Sequence, residues 1–168
     1  MIRHLGENEF RTMPWANGKG VTVEMLKIEH AGRLVLRLSR AKVVEDGAFS
    51  MFPGIERNLT VLSGPGFDLV GEGIDLKALA LVPVAFPGDV AVKAVNVSAP
   101  SEDFNVMTDR SLPKPEVWVQ TSGEIAGRAA VLALQAGRVA QHDLILTDEG
   151  LRIDFPAIIV RWSGEGGF

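Results

Sequence analysis

Glycine and proline break this chain too often for long helices. Its 168 residues include 18 glycines and 9 prolines, scattered at short intervals. Glycine admits positive φ and proline withholds a donor, so each break favours a turn. The runs between breaks carry the period of half-buried strands. In 33–40, Leu34, Leu36 and Leu38 point one way, and Arg33, Val35, Arg37 and Ser39 the other. Residues 21–28 alternate in part, and 90–97 repeat the pattern. Further strands are expected at 79–85, 104–108, 116–120, 129–134, 143–146, 151–155 and 157–162. Strands recurring about every 8–12 residues between Gly/Pro turns predict an all-β sandwich or barrel. The only helical expectation is a short turn over 9–12, with Asn8 as its cap.

The stretch from Asp46 to Val70 organises the rest. Phe49, Met51 and Phe52 lie in a segment broken by Pro53 and Gly54, and are expected to pack down onto a sheet rather than within it. Residues 58–62 read as a strand, Ser63-Gly64-Pro65-Gly66 as a tight turn, and 67–69 as a returning strand, together a hairpin. Arg57 enters this unit on a β element that holds its guanidinium in a fixed direction.

Length fits one ordinary domain or two very small ones. A hydrophobic content of 46% and a mean hydropathy of +0.17 allow a sizeable core. The net charge of -4 comes without a basic stripe, which argues against nucleic acid as a partner. With no cysteine there is neither a disulfide framework nor a thiolate metal site. Charges stand where a signal peptide needs an apolar run, and no run approaches the ~20 apolar residues of a membrane span. A soluble, cytoplasmic protein is expected.

Three segments carry a resemblance. They are Met13-Pro14-Trp15-Ala16-Asn17-Gly18-Lys19-Gly20-Val21-Thr22-Val23-Glu24, then Phe49-Ser50-Met51-Phe52-Pro53-Gly54-Ile55-Glu56-Arg57, and finally Phe86-Pro87-Gly88-Asp89 followed by Asp103-Phe104-Asn105-Val106-Met107. In order and spacing the chain resembles the HutD/Ves family of small cupin-like proteins, well over 11–110 and beyond that only in its strand-rich character. One departure is Lys19, where the family's Asn-Gly-Gly-Gly usually has its middle glycine. The resemblance implies a double-stranded β-helix of the cupin (RmlC-like jelly-roll) type, with two barrels in one compact bicupin. The first barrel would span 1–110 and the second, smaller one 111–168, with strands exchanged between them left open. It also implies a link to histidine utilisation or, in the Ves branch, to stress response. A small-molecule-binding regulator with an N-formylglutamate-like ligand would fit the HutD branch.

Metal-binding cupins hold their ion with clustered histidines and a carboxylate. The histidines here are His4, His30 and His142, none in a His-x-His pair. Arg57 and Asn58 occupy the position where such a pair would stand, and a cation there repels a metal. No metal and no cofactor are expected. The chain has no tyrosine to serve the acid role of cupin epimerases, no Gly-x-Ser-x-Gly, and only a superficial P-loop echo at Gly18-Lys19-Gly20.

A binding constellation remains. Trp15, Asn17, Lys19, Thr22 and Glu24 surround a Gly-bounded loop entering a strand, and Arg57 and Arg37 sit on strands. Asn105 and Met107 alternate with Phe104 and Val106, so one face can line a barrel mouth. Together with Phe52 these form the expected ligand site, a cavity in which Arg57 grips a small carboxylate bidentately. Each residue also has a structural reading. Trp15 can be core, Asp103 can cap a turn, and Arg57 can pair with Glu24, Asp46 or Asp89 to brace the barrel. The alternatives to a non-enzymatic binding protein are an isomerase or hydrolase acting on a histidine-pathway acid, with Glu24 or Asp103 as general base, and a stress-related interaction scaffold. The expected partner is a small carboxylate metabolite, with neither nucleic acid nor membrane, and a homodimer is left open.

Overall fold

A computed structural model describes all 168 residues, and they are almost entirely strand. β1 (Ile2–Leu5) and β2 (Arg11–Pro14) flank one 3-10 turn, Glu7–Glu9. β3 (Val21–His30) and β4 (Arg33–Val43) follow, then β5 (Gly47–Ala48), β6 (Ile55–Ser63), β7 (Phe67–Gly71) and β8 (Ile74–Ala78). β9 (Val84–Pro87), β10 (Val92–Val95) and β11 (Ser101–Asp109) complete the central region. The last third holds β12 (Glu116–Gln120), β13 (Gly123–Ala126), β14 (Ala129–Ala133), β15 (Leu144–Thr147), β16 (Gly150–Ile153) and β17 (Ala157–Arg161).

The expected helical turn over 9–12 is shifted. The turn begins after Gly6, whose N–H donates to Glu9 Oε2 at 2.7 Å, and Arg11 to Pro14 are strand instead. Residues 79–85 do not form one strand. Leu81 takes a φ of +61° in the connection between β8 and β9, and Leu79 and Val82 are exposed there.

A larger correction concerns the hairpin. β6 and β7 do not pair with each other. β6 lies between β11 and β9 in a six-stranded sheet of order β2-β3-β4-β11-β6-β9, and β7 lies between β10 and β8 in a four-stranded one. Ser63-Gly64-Pro65-Gly66 is therefore a corner where the chain leaves one sheet for the next. Gly64 and Gly66 adopt φ of +92° and +80°, and a Cβ on Gly66 would stand 2.0 Å from the Ala78 carbonyl oxygen. The corner is held by Gly66 N–H, which donates to Ser101 Oγ at 2.8 Å.

The third sheet has five strands, β1-β15-β14-β17-β12, and the fourth pairs β13 with β16. The N-terminal strand thus pairs with β15, far along the chain, from Ile2 opposite Thr147 to Leu5 opposite Leu144.

Three apolar clusters join the sheets in series. Leu59 and Val61 of the six-stranded sheet meet Phe67, Leu69, Val92 and Ala94 of the four-stranded sheet. On its other face, Leu36, Leu38, Phe104 and Val106 meet Leu132, Leu144, Leu146, Ile158 and Val160 of the five-stranded sheet. Behind that, Val131, Ile145 and Ile159 meet Ile125 and Ile153. β14 is buried along its whole length, because Ala130 and Leu132 serve one cluster and Ala129 and Val131 the next.

Candidate functional site

The six-stranded sheet divides its side chains between two tasks. Along β4, Leu36 and Leu38 enter the apolar seam, while Arg37, Ser39 and Ala41 face the opposite way. In β11, Phe104 and Val106 enter the seam, while Asp103, Asn105 and Met107 face with Arg37. Register aligns them. Asp103 lies opposite Ala41, Asn105 opposite Ser39 and Leu59, and Met107 opposite Arg37 and Arg57. This face lines a cavity of about 830 Å³, partly covered by the 13–17 and 48–55 segments.

Arg57 is the most constrained group in it. Only 6% of the residue is exposed. Its guanidinium carbon lies 5.5, 5.1 and 5.0 Å from the ring centroids of Phe49, Phe52 and Phe86, close enough for each ring face to attract the cation. Nη1 donates to the Ser50 carbonyl oxygen at 3.1 Å, and Nε is buried without a partner. The expectation that the segment around Pro53 packs onto the sheet holds for Phe49 and Phe52, whereas Met51 is 50% exposed. Burial draws the Arg57 guanidinium down to about 10, against the raising pull of Asp103 and with a further push from Arg37.

The acids named as braces are engaged elsewhere. Glu24 Oε2 accepts from Arg37 Nε at 2.8 Å. Asp46 accepts from the Val97 N–H at 2.9 Å. Asp89 accepts from the Gly54 N–H and pairs with Arg110. Arg57 forms no ion pair, so the bracing interpretation is not what the structure contains.

Asp103 does not cap a turn. It sits inside β11, 1% exposed, and accepts a hydrogen bond from Asn105 Nδ2 at 2.8 Å. Burial pushes its carboxyl up to about 7, although the Asn105 hydrogen bond and the Arg57 charge both pull it down.

The remaining expected residues divide. Trp15, Asn17, Thr22, Glu24, Phe52, Arg57, Asn105 and Met107 all line the cavity, and so does Arg37. Trp15 is half-buried rather than core; its Nε1 donates to Thr22 Oγ1 at 2.9 Å, and its ring lies over Gly20, where a Cβ would stand 2.9 Å away. Lys19 is not brought to the cavity. Its side chain is 63% exposed and pairs with Glu45 at 3.1 Å, while its N–H donates to Asn17 Oδ1. Lys19 is absent from the positive-φ residues, so a side chain stands there without backbone strain. The sequence alone singles out neither Ser39, which lines the cavity, nor Phe86, whose ring lies against Arg57, and it presents Asp103 only as a cap or a base. The alternation Asp103-x-Asn105-x-Met107 was the signal that could have placed Asp103 on the wall.

No histidine lines this cavity. His4 Nε2 is 2.6 Å from Asp143 Oδ2, His30 pairs with Glu165, and His142 sits between Arg40 and Glu102. The cavity's own carboxylates are Glu24, Glu29 and Asp103; the first two are paired with Arg37 and Lys27, and the third faces an arginine charge. That donor set does not fit the imidazole-rich metal centres of metal-binding cupins.

Comparison with known proteins places this architecture. The HutD family model matches residues 7–152. A Protein Ves from Citrobacter koseri is 35% identical over 153 residues, covering 84% of this chain and 79% of that one. The solved structure of HutD from Pseudomonas fluorescens SBW25 superposes with a TM-score of 0.85 at 26% identity, covering 99% and 100% of the two chains. The fold alone is shared with vicilin from hazelnut, at a TM-score of 0.59, 7% identity and coverage of 95% and 84%. With an all-β, cupin-like fold, a likeness to Protein Ves and a family match over most of its length, this chain belongs to the HutD family.

Proposed function

We propose that the cavity binds a small carboxylate metabolite anchored by Arg57, and that the protein acts as a binding regulator rather than as an enzyme. One observation carries this reading: a buried guanidinium, with no ion pair and with Nε unpartnered, lines a cavity of about 830 Å³. A buried charge is costly unless something neutralises it. Asp103 acts on Arg57 only through space and forms no ion pair with it, whereas an acid entering from solvent would meet the guanidinium directly. Family membership supports a place in histidine utilisation, with an N-formylglutamate-like ligand. We also read the chain as two barrels, 1–110 and 111–168, with β1 lent by the first part to the sheet of the second.

The test is thermal unfolding with N-formylglutamate, urocanate, glutamate and histidine. An acid present at 100 times its dissociation constant adds about 2.7 kcal/mol. Arg57→Ala is expected to fold and to lose that stabilisation. If the variant keeps the full shift, or if none of the acids stabilises the wild type, the reading fails.

A second reading has one observation in its favour. Asp103 is a buried carboxyl titrating near neutrality in a cavity, which suits a general acid or base. Glu24 is the weaker candidate because Arg37 already holds it. Product analysis after prolonged incubation with the same acids tests it.

A further inference from the structure

Two of the cavity's charged residues stand outside its ion pairs. Its charged lining residues are Glu24, Lys27, Glu29, Arg37, Arg57 and Asp103. Glu24 and Arg37 pair at 2.8 Å, and Lys27 and Glu29 at 2.9 Å. Each pair is neutral. Arg57 and Asp103 remain, both buried, on neighbouring strands of one sheet, and not joined in an ion pair. If Asp103 is ionised, the two sum to zero, and an anion seated at Arg57 then leaves a net negative charge in a place shielded from water. Such a charge is strongly disfavoured at low dielectric. Neutrality returns when Asp103 carries a proton.

We propose that Asp103 is a second ligand-facing residue of this cavity, present as the neutral acid whenever an anion occupies the Arg57 site, so that each anion enters together with one proton. This rests on the reading that Arg57 anchors an acid. It adds that the site takes up an anion and a proton as a unit, and that Asp103 presents a hydroxyl donor where an ionised carboxylate would present only acceptors.

The surroundings fit a proton held here. Asn105 Nδ2 donates to Asp103 Oδ1 at 2.8 Å and an Ala41 backbone N–H also donates to the carboxyl, so it is burial that holds the proton against both. Burial favours the neutral form and outweighs the Asn105 hydrogen bond and the Arg57 charge from β6, which holds the group at about 7. An incoming anion cancels the Arg57 charge and so removes one of the influences that keep Asp103 ionised, leaving burial opposed by the Asn105 and Ala41 hydrogen bonds. Arg37 of β4 and Glu24 of β3 cancel each other. Glu102, next to Asp103 in sequence, also raises it. Glu102 pairs with Arg40 and, across the sheets, with His142, whose own imidazole is held down mainly by burial and then by Arg40.

Formate is the minimal probe, because it remains an anion from pH 6 to pH 9 and carries no other titrating group. Its affinity, measured by calorimetry, is expected to be nearly constant well below pH 7 and to fall about tenfold per unit above it. In Asp103→Asn, which keeps a neutral group of the same shape, the fall disappears. Wild-type protein alone gives an independent readout. Titrations at pH 8 in buffers of differing ionisation enthalpy should report uptake approaching one proton per formate bound. Formate binding that requires Arg57 but neither varies with pH nor takes up a proton overturns this proposal and leaves the acid-binding reading intact. A pH dependence that survives in Asp103→Asn assigns the proton to another group and also overturns it. If neither formate nor N-formylglutamate binds at any pH, both readings fall together.

Discussion

Arg57 and Asp103 show what a single position can and cannot disclose. An arginine where related folds would keep a histidine is visible in the bare chain, and the loop of aromatic residues ahead of it is visible too. That three rings would converge on it, one of them from β9, follows from a strand pairing with no local signature. Asp103 was legible as chemistry but not as a place. A short Asp beside charged and polar neighbours reads as turn chemistry until the strand around it is seen to be central. Its burial has a consequence for stability as well as for the proposed binding. An Asp titrates near ~4 in an unfolded chain, and in the fold it is pushed up to about 7. The native state therefore holds the proton more tightly. The contribution is complete below about pH 4 and is lost as pH rises through about 7. Asp103→Asn should raise the urea midpoint relative to wild type at pH 8, and the gain should close towards pH 4. An equal gain at both pH values would mean that the carboxyl is not desolvated as described.

Strands were read more securely than their connections. Alternation located β3 and β4 to within a few residues, and apolar runs between turn residues located β11, β12, β14 and β17, the last two continuous because both their faces are buried. The short strands β1, β2, β5, β8 and β13 were missed, since edge strands of four or five residues, or of two in β5, have little pattern to show. The corner at 63–66 was misread as a hairpin for a physical reason. Gly-Pro-Gly permits a reversal and a change of sheet equally, and the choice is made by what packs on either side. Comparison of two glycines tests how tightly that corner is built. Gly32 has a φ of +74° with open space at its Cβ position, so Gly32→Ala should cost about 1–2 kcal/mol. Gly66 combines a φ of +80° with a carbonyl oxygen 2.0 Å from that position. Gly66→Ala should cost clearly more than about 2 kcal/mol in urea unfolding. Equal losses would show that the corner yields.

At the scale of the whole molecule, an all-β class was legible from punctuation alone, and the cupin-like form from the motif order. The series of sheets was not, because it depends on pairings between distant parts of the chain. β1 closes one edge of the five-stranded sheet, and Leu5 is buried in its seam. Removing residues 1–5 should expose β15 as an edge. Amides of 144–147 should then exchange faster, while those of β7 and β8 keep their protection. Uniform loss of protection would mean that the sheets unfold as one unit.

The shared six-stranded sheet sets a limit on how such a protein can change. Along β11, even positions such as Phe104 and Val106 glue two sheets together, and odd positions such as Asp103 and Asn105 face the cavity. Point replacements at odd positions can reshape the cavity wall while the architecture stands. Inserting or deleting one residue in that strand exchanges the two sets, sending a carboxylate into the apolar seam and a phenyl ring into the cavity. Change of the cavity's lining is therefore confined to substitution within a fixed frame, and variation in length must accumulate in the loops that cover it.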